Sequence, residues 1–282
     1  MKIKHVYENF KNVEDAFSCP FCQSDMTFQK GASLVCRSRH CFDLSKYGYL
    51  NFLQKQIKTP YNKELFESRR RVFEANFYDD LIRQLKDLIK HYGPKPEGRL
   101  LDAGCGEGFF TNQLASSDLG YQVLAVDIEK EAIKMGARGG SPVKFFVGDL
   151  SKLPLQSSMM DVVVNIFSPA SYEEFRRILT VDGLVVKVVP NENYLVELRE
   201  KAKDHLFAEA YSNEQVIKLF ETHLTVLHHQ RLTYTLPLTP EVRSDFVAMT
   251  PMMFHVDHTK LDLEAIKTIT IDVDVLVGKF ER

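Results

Sequence analysis

Outside one short stretch the 282-residue chain is almost without cysteine: four of its five cysteines lie between positions 19 and 41, and only Cys105 stands apart. That distribution excludes a disulfide framework and fits a reducing, cytoplasmic setting. Long apolar runs are missing as well. None approaches the roughly 20 residues of a membrane span, and the opening "MKIKHVYENFKNVED" has no apolar segment of the kind that directs secretion. Internal repeats and low-complexity tracts are absent too. Net charge is small, −2 over the chain, but it is unevenly placed: residues 1–95 carry 17 basic and 11 acidic side chains, and the remainder 19 and 27. Ten basic and three acidic residues fall between Lys30 and Arg71, the last four positions reading "SRRR". Such an excess is the electrostatic footprint of a polyanion-binding surface, with Lys30, Arg37, Arg39, Arg69, Arg70 and Arg71 the candidate contacts.

What is present divides the chain into three parts. Residues 1–60 hold the cysteines. Residues 61–95 form a helical linker, with helix-like sequence from 62 to 92 in which Leu81, Leu85 and Leu88 fall at i, i+4 and i+7. "GPKPEG" (93–98) then breaks the helix, and residues 96–282 make the main domain. There the pattern alternates. Apolar, β-branched runs at 99–104, 122–127, 143–149, 160–167 and 183–189 predict a parallel sheet buried on both faces, with helical sequence at 109–115 and 129–137. Two longer strands, 224–236 and 269–280, can pair antiparallel at the end, around an insertion (237–263) of helical character. An α/β fold of five β-α units closed by an antiparallel pair matches a seven-stranded, Rossmann-like sheet.

"LLDAGCGEG" puts Gly104, Gly106 and Gly108 directly after the first of these strands, where backbone can approach a ligand closely. The spacing is not the G-x-G-x-x-G of nicotinamide-dependent oxidoreductases. With Asp102 ahead of it, the stretch resembles the first motif of class I S-adenosylmethionine (SAM)-dependent methyltransferases. Asp127 closes the second strand, where a carboxylate can accept ribose hydroxyls. Asp149 closes the third; the resemblance implies that it faces the adenine amino group, with Leu150 beside the ring. A single strand-end Asp is as well explained by helix capping, but three on consecutive strands line the edge where open α/β sheets bind ligands.

Cys19-x2-Cys22 is a zinc knuckle, and after thirteen intervening residues Cys36 opens a second half-site as Cys36-x3-His40 or Cys36-x4-Cys41. A structural zinc takes four ligands, so one of the last two is surplus. "MTFQKGASLV" between the halves predicts a β-hairpin with Lys30-Gly31 at its tip. A redox role for Cys19 and Cys22 lacks its βαβ context. The result is a small β-rich zinc-binding module placed before an enzyme.

Taken together, the cysteine knuckles, "FDLSKYGYLNFL", "ESRRRVFEANFYDDL", "DAGCGEG" and "MTPMMFH" resemble, in that order, the RlmA family of large-subunit rRNA guanine-N1-methyltransferases. The likeness runs from Cys19 onward, leaving residues 1–16 as an unmatched extension. It implies one structural Zn2+ on Cys19, Cys22, Cys36 and His40, with Cys41 outside. It implies SAM contacts at Tyr78, at the Gly106-Glu107 turn and at Tyr194, where relatives can carry His. It also implies transfer of a methyl group to guanine N1 in a 23S rRNA hairpin (helix 35), a 748-type position being favoured over a 745-type one, with an effect on macrolide susceptibility. Asn165 is the candidate for holding the base's Watson–Crick edge, though a strand-end cap explains it nearly as well. Phe167 or Phe254 can stack on an extruded base. His228-His229 lie mid-strand, and no general base is legible. A homodimer could clamp the hairpin. The competing reading, methylation of a small metabolite such as a quinone, sits poorly with the basic first third.

Overall fold

In the computed structural model, residues 3–29, 32–55, 62–94, 97–138, 140–205 and 211–281 are described. The chain begins with α1 (Ile3–Phe10) and the hairpin β1 (Met26–Gln29) and β2 (Ser33–Cys36). It continues through β3 (Cys41–Asp43), β4 (Tyr49–Asn51), α2 (Lys63–Glu74) and α3 (Asp79–Tyr92). The central part comprises β5 (Arg99–Ala103), α4 (Phe109–Ala115), β6 (Gln122–Asp127), α5 (Lys130–Ala137), β7 (Lys144–Val147), β8 (Met160–Ile166), α6 (Tyr172–Ile178) and β9 (Leu179–Pro190). It closes with α7 (Val196–Ala202), α8 (Glu214–His223), β10 (Thr225–Pro237), α9 (Pro240–Met249) and β11 (Thr268–Lys279). No helix among the described residues is long and apolar enough to cross a membrane.

The large sheet has the order β10-β11-β9-β8-β5-β6-β7-β4. Seven of these strands are those expected, with β10 and β11 antiparallel. The eighth comes from outside the main domain as read from sequence. Tyr49–Asn51, inside the expected module, pairs in parallel with β7 at Tyr49↔Phe145 and Asn51↔Val147. The remaining strands of the module form their own three-stranded sheet, β1-β2-β3.

Alternating side chains send β-branched residues to both faces of the sheet, so both need cover. On one face Val162, Val164, Val186 and Val188 meet α3, α4 and α5; on the other Leu101, Phe146, Val163 and Val185 meet α6, α8 and the module. The β7-to-β8 connection carries no helix, and the module takes that place. Phe17 forms an isolated bridge to Leu155 and packs edge-on against Phe146, at 5.4 Å between centroids. The extension and the first residue of the module, Phe17, supply this seam together. Phe10, Val13, Ala16 and Phe17 are fully buried, each large one contributing about 1.5–3 kcal/mol. Asp15 also binds the Arg99 guanidinium at 2.7 Å.

The helical region differs from its sequence reading in two ways. It is two helices, not one, interrupted at Ala75–Tyr78 where Asn76 takes φ +64. It is also no linker: Tyr78, Leu81, Leu85 and Ile89 are buried against the sheet. A helix turns about 100° per residue, so the three consecutive arginines leave α2 in three directions. Arg69 points into a cavity. Arg70 pairs with Glu74 on the surface at 2.7 Å. Arg71 donates from Nε at 3.0 and 2.9 Å and from Nη2 at 2.6 Å to Asp245 of α9. The "SRRR" arginines thus do not present one common surface: Arg69 is mostly buried, while Arg70 and Arg71 stay more than half exposed beside their acidic partners. Between them they tie the inserted helix to the domain and line the cavity. Arg71→Ala should lower unfolding free energy by about 1–2 kcal/mol in urea denaturation, because it strands a mostly buried carboxylate, whereas Arg70→Ala should stay within about 0.5 kcal/mol.

Candidate active site and metal centre

The glycine turn sits at the carboxyl end of β5, beside the point where strand order reverses between β5 and β8, the usual ligand crevice of an open α/β sheet. Gly104 has φ +86, and a Cβ there would lie 1.9 Å from Ser168 Oγ, so both its conformation and its surroundings demand glycine. Asp127 holds the turn from the next strand: its carboxylate accepts from Gly106 N–H at 2.7 Å and from Glu129 N–H at 2.8 Å.

Around the turn lies a cavity of about 480 Å3. Of the residues expected to bind cofactor, Tyr78, Asp102, Gly104, Gly106, Glu107, Asp127 and Tyr194 line it. Tyr78 and Tyr194 touch hydroxyl to hydroxyl at 2.6 Å, and burial pushes the Tyr194 phenol up to about 12. Asp102 accepts from Thr111 Oγ1 at 2.5 Å, yet burial lifts its carboxyl to about 7. Burial lifts Glu107 to about 7 as well, against the pull of the Arg69 guanidinium, whose Nη1 lies 3.7 Å from Glu107 Oε2. Asp127 is likewise raised by burial. Glu107 Oε1 and Glu129 Oε1 are buried with no hydrogen-bond partner among the described residues. Two orphaned carboxylate oxygens, in a wall that also carries Phe73, Phe110 and Phe167, suit a ligand bearing positive charge and hydroxyl donors. SAM, a sulfonium with a ribose, is such a ligand.

Three expected residues stand apart from that wall. Gly108 caps α4 with φ +77, and a Cβ on it would meet the Phe145 ring at 2.6 Å, so its glycine serves packing. Asp149 accepts from the Ser151 amide and hydroxyl at 2.8 and 2.7 Å in a local turn. Leu150 packs against the module-side core, with its Cδ1 3.8 Å from where a Cβ on Gly104 would lie, so it stays beside the glycine turn. Asn165 is corrected outright as the base-holding residue. It is fully buried, donates to the Ala103 and Pro169 carbonyls at 2.7 and 3.1 Å, and accepts from Lys187 Nζ at 2.5 Å. Both amide hydrogens and one acceptor position of Oδ1 are thus engaged within the protein, and the side chain does not line the cavity. Lys187, whose burial lowers it to about 8, and the cavity residues Glu129 and Thr250 were not among the expected site residues, and Arg69 was expected on RNA rather than in the cavity. The helical period could have shown that three adjacent arginines diverge. Glu129 lies only two residues beyond Asp127, inside the same strand-end turn.

Phe167 lines the cavity, 5.5 Å from the Tyr194 ring, while Phe254 packs beside Leu65 and Phe66. His229 binds Asp274 at 2.9 Å, far from any substrate role. In the module Arg37 and Arg39 are exposed, with Arg37 3.6 Å from Asp25, and Phe21 is 45 % exposed beside the His40 ring. Lys30 lies outside the described residues.

The hairpin brings the two half-sites together, so that the donor atoms of Cys19, Cys22, Cys36 and His40 all lie within 4.8 Å of one another. His40 Nδ1 is 3.3 Å from both Cys19 Sγ and Cys36 Sγ, and Cys22 Sγ is 3.6 Å from Cys36 Sγ. A tetrahedral zinc with ordinary bond lengths requires roughly 3.5 Å between nitrogen and sulfur and 3.8 Å between sulfurs, so the cluster fits that ion closely. The Ser24 hydroxyl draws the Cys22 thiol down to about 5, toward the thiolate a metal needs. Cys41 faces solvent on β3 and approaches Asp43 Oδ1 at 3.7 Å.

Two measurements check this geometry. His40→Ala should abolish stoichiometric zinc in the purified protein by metal analysis, whereas Cys41→Ser should retain it. Glu107 has a folded-state value raised from 4.5 to about 7, so its contribution to stability is present at acid pH and is lost as pH rises through 7. Glu107→Gln should therefore gain up to about 3 kcal/mol relative to the parent between pH 4.5 and pH 8 in cofactor-free urea titrations; a constant difference would show the carboxyl to be solvated.

Residues 101–186 match the family model described as a methyltransferase domain, and residues 17–60 match the zinc-ribbon model described as the RlmA amino-terminal region. YxjB of Bacillus subtilis (strain 168), provisionally named a 23S rRNA (guanine-N1)-methyltransferase, is 36% identical over 271 residues, covering 93% of this chain and 96% of its own. The 23S rRNA (guanine(748)-N1)-methyltransferase of Streptomyces fradiae is 26% identical over 280 residues, covering 95% and 98%. With the zinc-ribbon cluster, the methyltransferase sheet and this end-to-end likeness in one chain, the protein belongs to the RlmA family of SAM-dependent 23S rRNA (guanine-N1)-methyltransferases.

Proposed function

We propose that the chain methylates N1 of a guanine in the helix 35 hairpin of 23S rRNA, at a 748-type position, and that this changes susceptibility to macrolides. The observation that carries the reading is the end-to-end likeness to the Streptomyces fradiae enzyme, whose name specifies guanine 748. When bound, SAM supplies a methyl group activated by its sulfonium. The residues of the chain do the rest. Asp127 keeps the glycine turn in place, and the orphaned oxygen of Glu129, two positions on, accepts a ribose hydroxyl. The Tyr78–Tyr194 pair and Phe167 close the cavity against water, and Met249 and Thr250 at the end of α9 form its far rim. Positioning of this kind supplies most of the catalysis in an in-line displacement. Phe167, on the cavity wall, is the candidate platform for the extruded guanine.

Cys19, Cys22, Cys36 and His40 hold a zinc that shapes the module without taking part in chemistry. Arg37, Arg39 and Phe21 of that module meet the RNA in place of the dispersed "SRRR" arginines. Phosphate contacts give affinity, and an exposed aromatic beside them can stack on an unpaired base. The test is primer extension on unmethylated 23S rRNA treated with the protein and SAM. A new reverse-transcription stop at one guanine of the helix 35 hairpin is expected. A stop elsewhere would relocate the target, and the absence of any stop, with SAM bound, would overturn rRNA guanine methylation.

A further inference from the structure

Four described residues of the cavity carry carboxylates: Asp102, Glu107, Asp127 and Glu129. One carries a permanent positive charge: Arg69. The Arg69 side chain is three-quarters buried. Its Nη1 stands 3.7 Å from Glu107 Oε2, too far for a hydrogen bond, and would lie 3.3 Å from a Cβ placed on Gly106. The guanidinium is thus suspended over the glycine turn, flanked by the Phe66 ring at 5.5 Å. Meanwhile four of the turn's own donors are engaged. Gly104 and Cys105 N–H bond the Val126 carbonyl, Gly106 N–H bonds Asp127, and Gly108 N–H bonds the Cys105 carbonyl. Most of the nest that would ordinarily receive an anion is thus committed to the protein.

SAM carries three charges, a sulfonium and an ammonium against one carboxylate. Four acids favour the first two and repel the third, which needs a cation to enter the cavity at all. We propose that Arg69 receives the α-carboxylate of SAM, with the unpartnered Oε1 of Glu107 taking the α-ammonium, so that the two side chains clamp the amino-acid end of the cofactor. This rests on the reading of the cavity as the SAM site. It also assigns to the cofactor a residue whose place in "SRRR" had suggested RNA.

The test compares two ligands differing only in that carboxylate, SAM and decarboxylated SAM, by calorimetric titration of the full zinc-loaded chain. The parent should bind SAM more tightly. Arg69→Gln should weaken SAM about 10- to 100-fold while changing decarboxylated SAM less than about threefold. Arg69→Lys should recover part of the loss, keeping charge but not the planar fork. Equal loss of both ligands in Arg69→Gln, or a parent indifferent to the carboxylate, would overturn the assignment. So would unchanged SAM affinity with weakened binding of the rRNA hairpin, which would return Arg69 to the RNA. Should Arg69→Gln fail to fold, the parent's ligand ratio and the lysine variant still decide. A parent that binds neither ligand sinks the cofactor reading itself, a different failure.

Discussion

A mostly parallel sheet whose strands are apolar on both sides must be covered on both, and most of the architecture follows from how this chain meets that requirement. Helices α3, α4 and α5 cover one face. On the other, the β7-to-β8 connection provides no helix, and the zinc module with its amino-terminal extension fills the gap through Phe10, Phe17, Phe42 and Phe52. The module also extends the sheet by one strand, β4 on β7. A metal-stapled domain of this size cannot bury much apolar surface alone, so sheet and module complete each other.

The same sheet concentrates charge at its carboxyl edge. Asp102, Asp127 and the Glu107 turn converge because β5 and β6 are parallel neighbours, with Asp102 beside Ala125 in register. Crowding and burial raise these carboxyls, two of them to about 7. Without a ligand the cavity is electrostatically uncomfortable. A cationic ligand relieves it, which makes affinity for a sulfonium a consequence of the fold's register. A contrasting arrangement lies at the other end of the sheet. There Asp272 binds Arg231 and Thr233, and Asp274 binds His229, Asn191 and Asn213; these acids are fully matched and serve only to fasten β10 and β11 to their surroundings.

Much was legible from the sequence. Apolar runs located the strands, because side-chain alternation and β-branched composition are local properties. Cysteine spacing located the metal cluster, because a knuckle is a short-range geometry. The glycine turn followed its strand for the same reason. What failed were judgements of direction. "SRRR" read as one basic patch, yet its three side chains serve a cavity, the surface and a helix 174 residues away. Asn165 could be read as a substrate contact or as a strand-end cap, and only the fold places its amide between the Ala103 and Pro169 carbonyls.

The sequence alone therefore determined the element types, the glycine turn with Asp102 and Asp127, and the five candidate metal donors, each set by residue type and short spacing. Tertiary structure decided which four donors converge, since β3 turns Cys41 to solvent while His40 faces the thiols. It also decided that Arg69 faces the cofactor cavity and that the extension seals the second face of the sheet. Those outcomes depend on which distant segments pack together, information that no local pattern of residues carries.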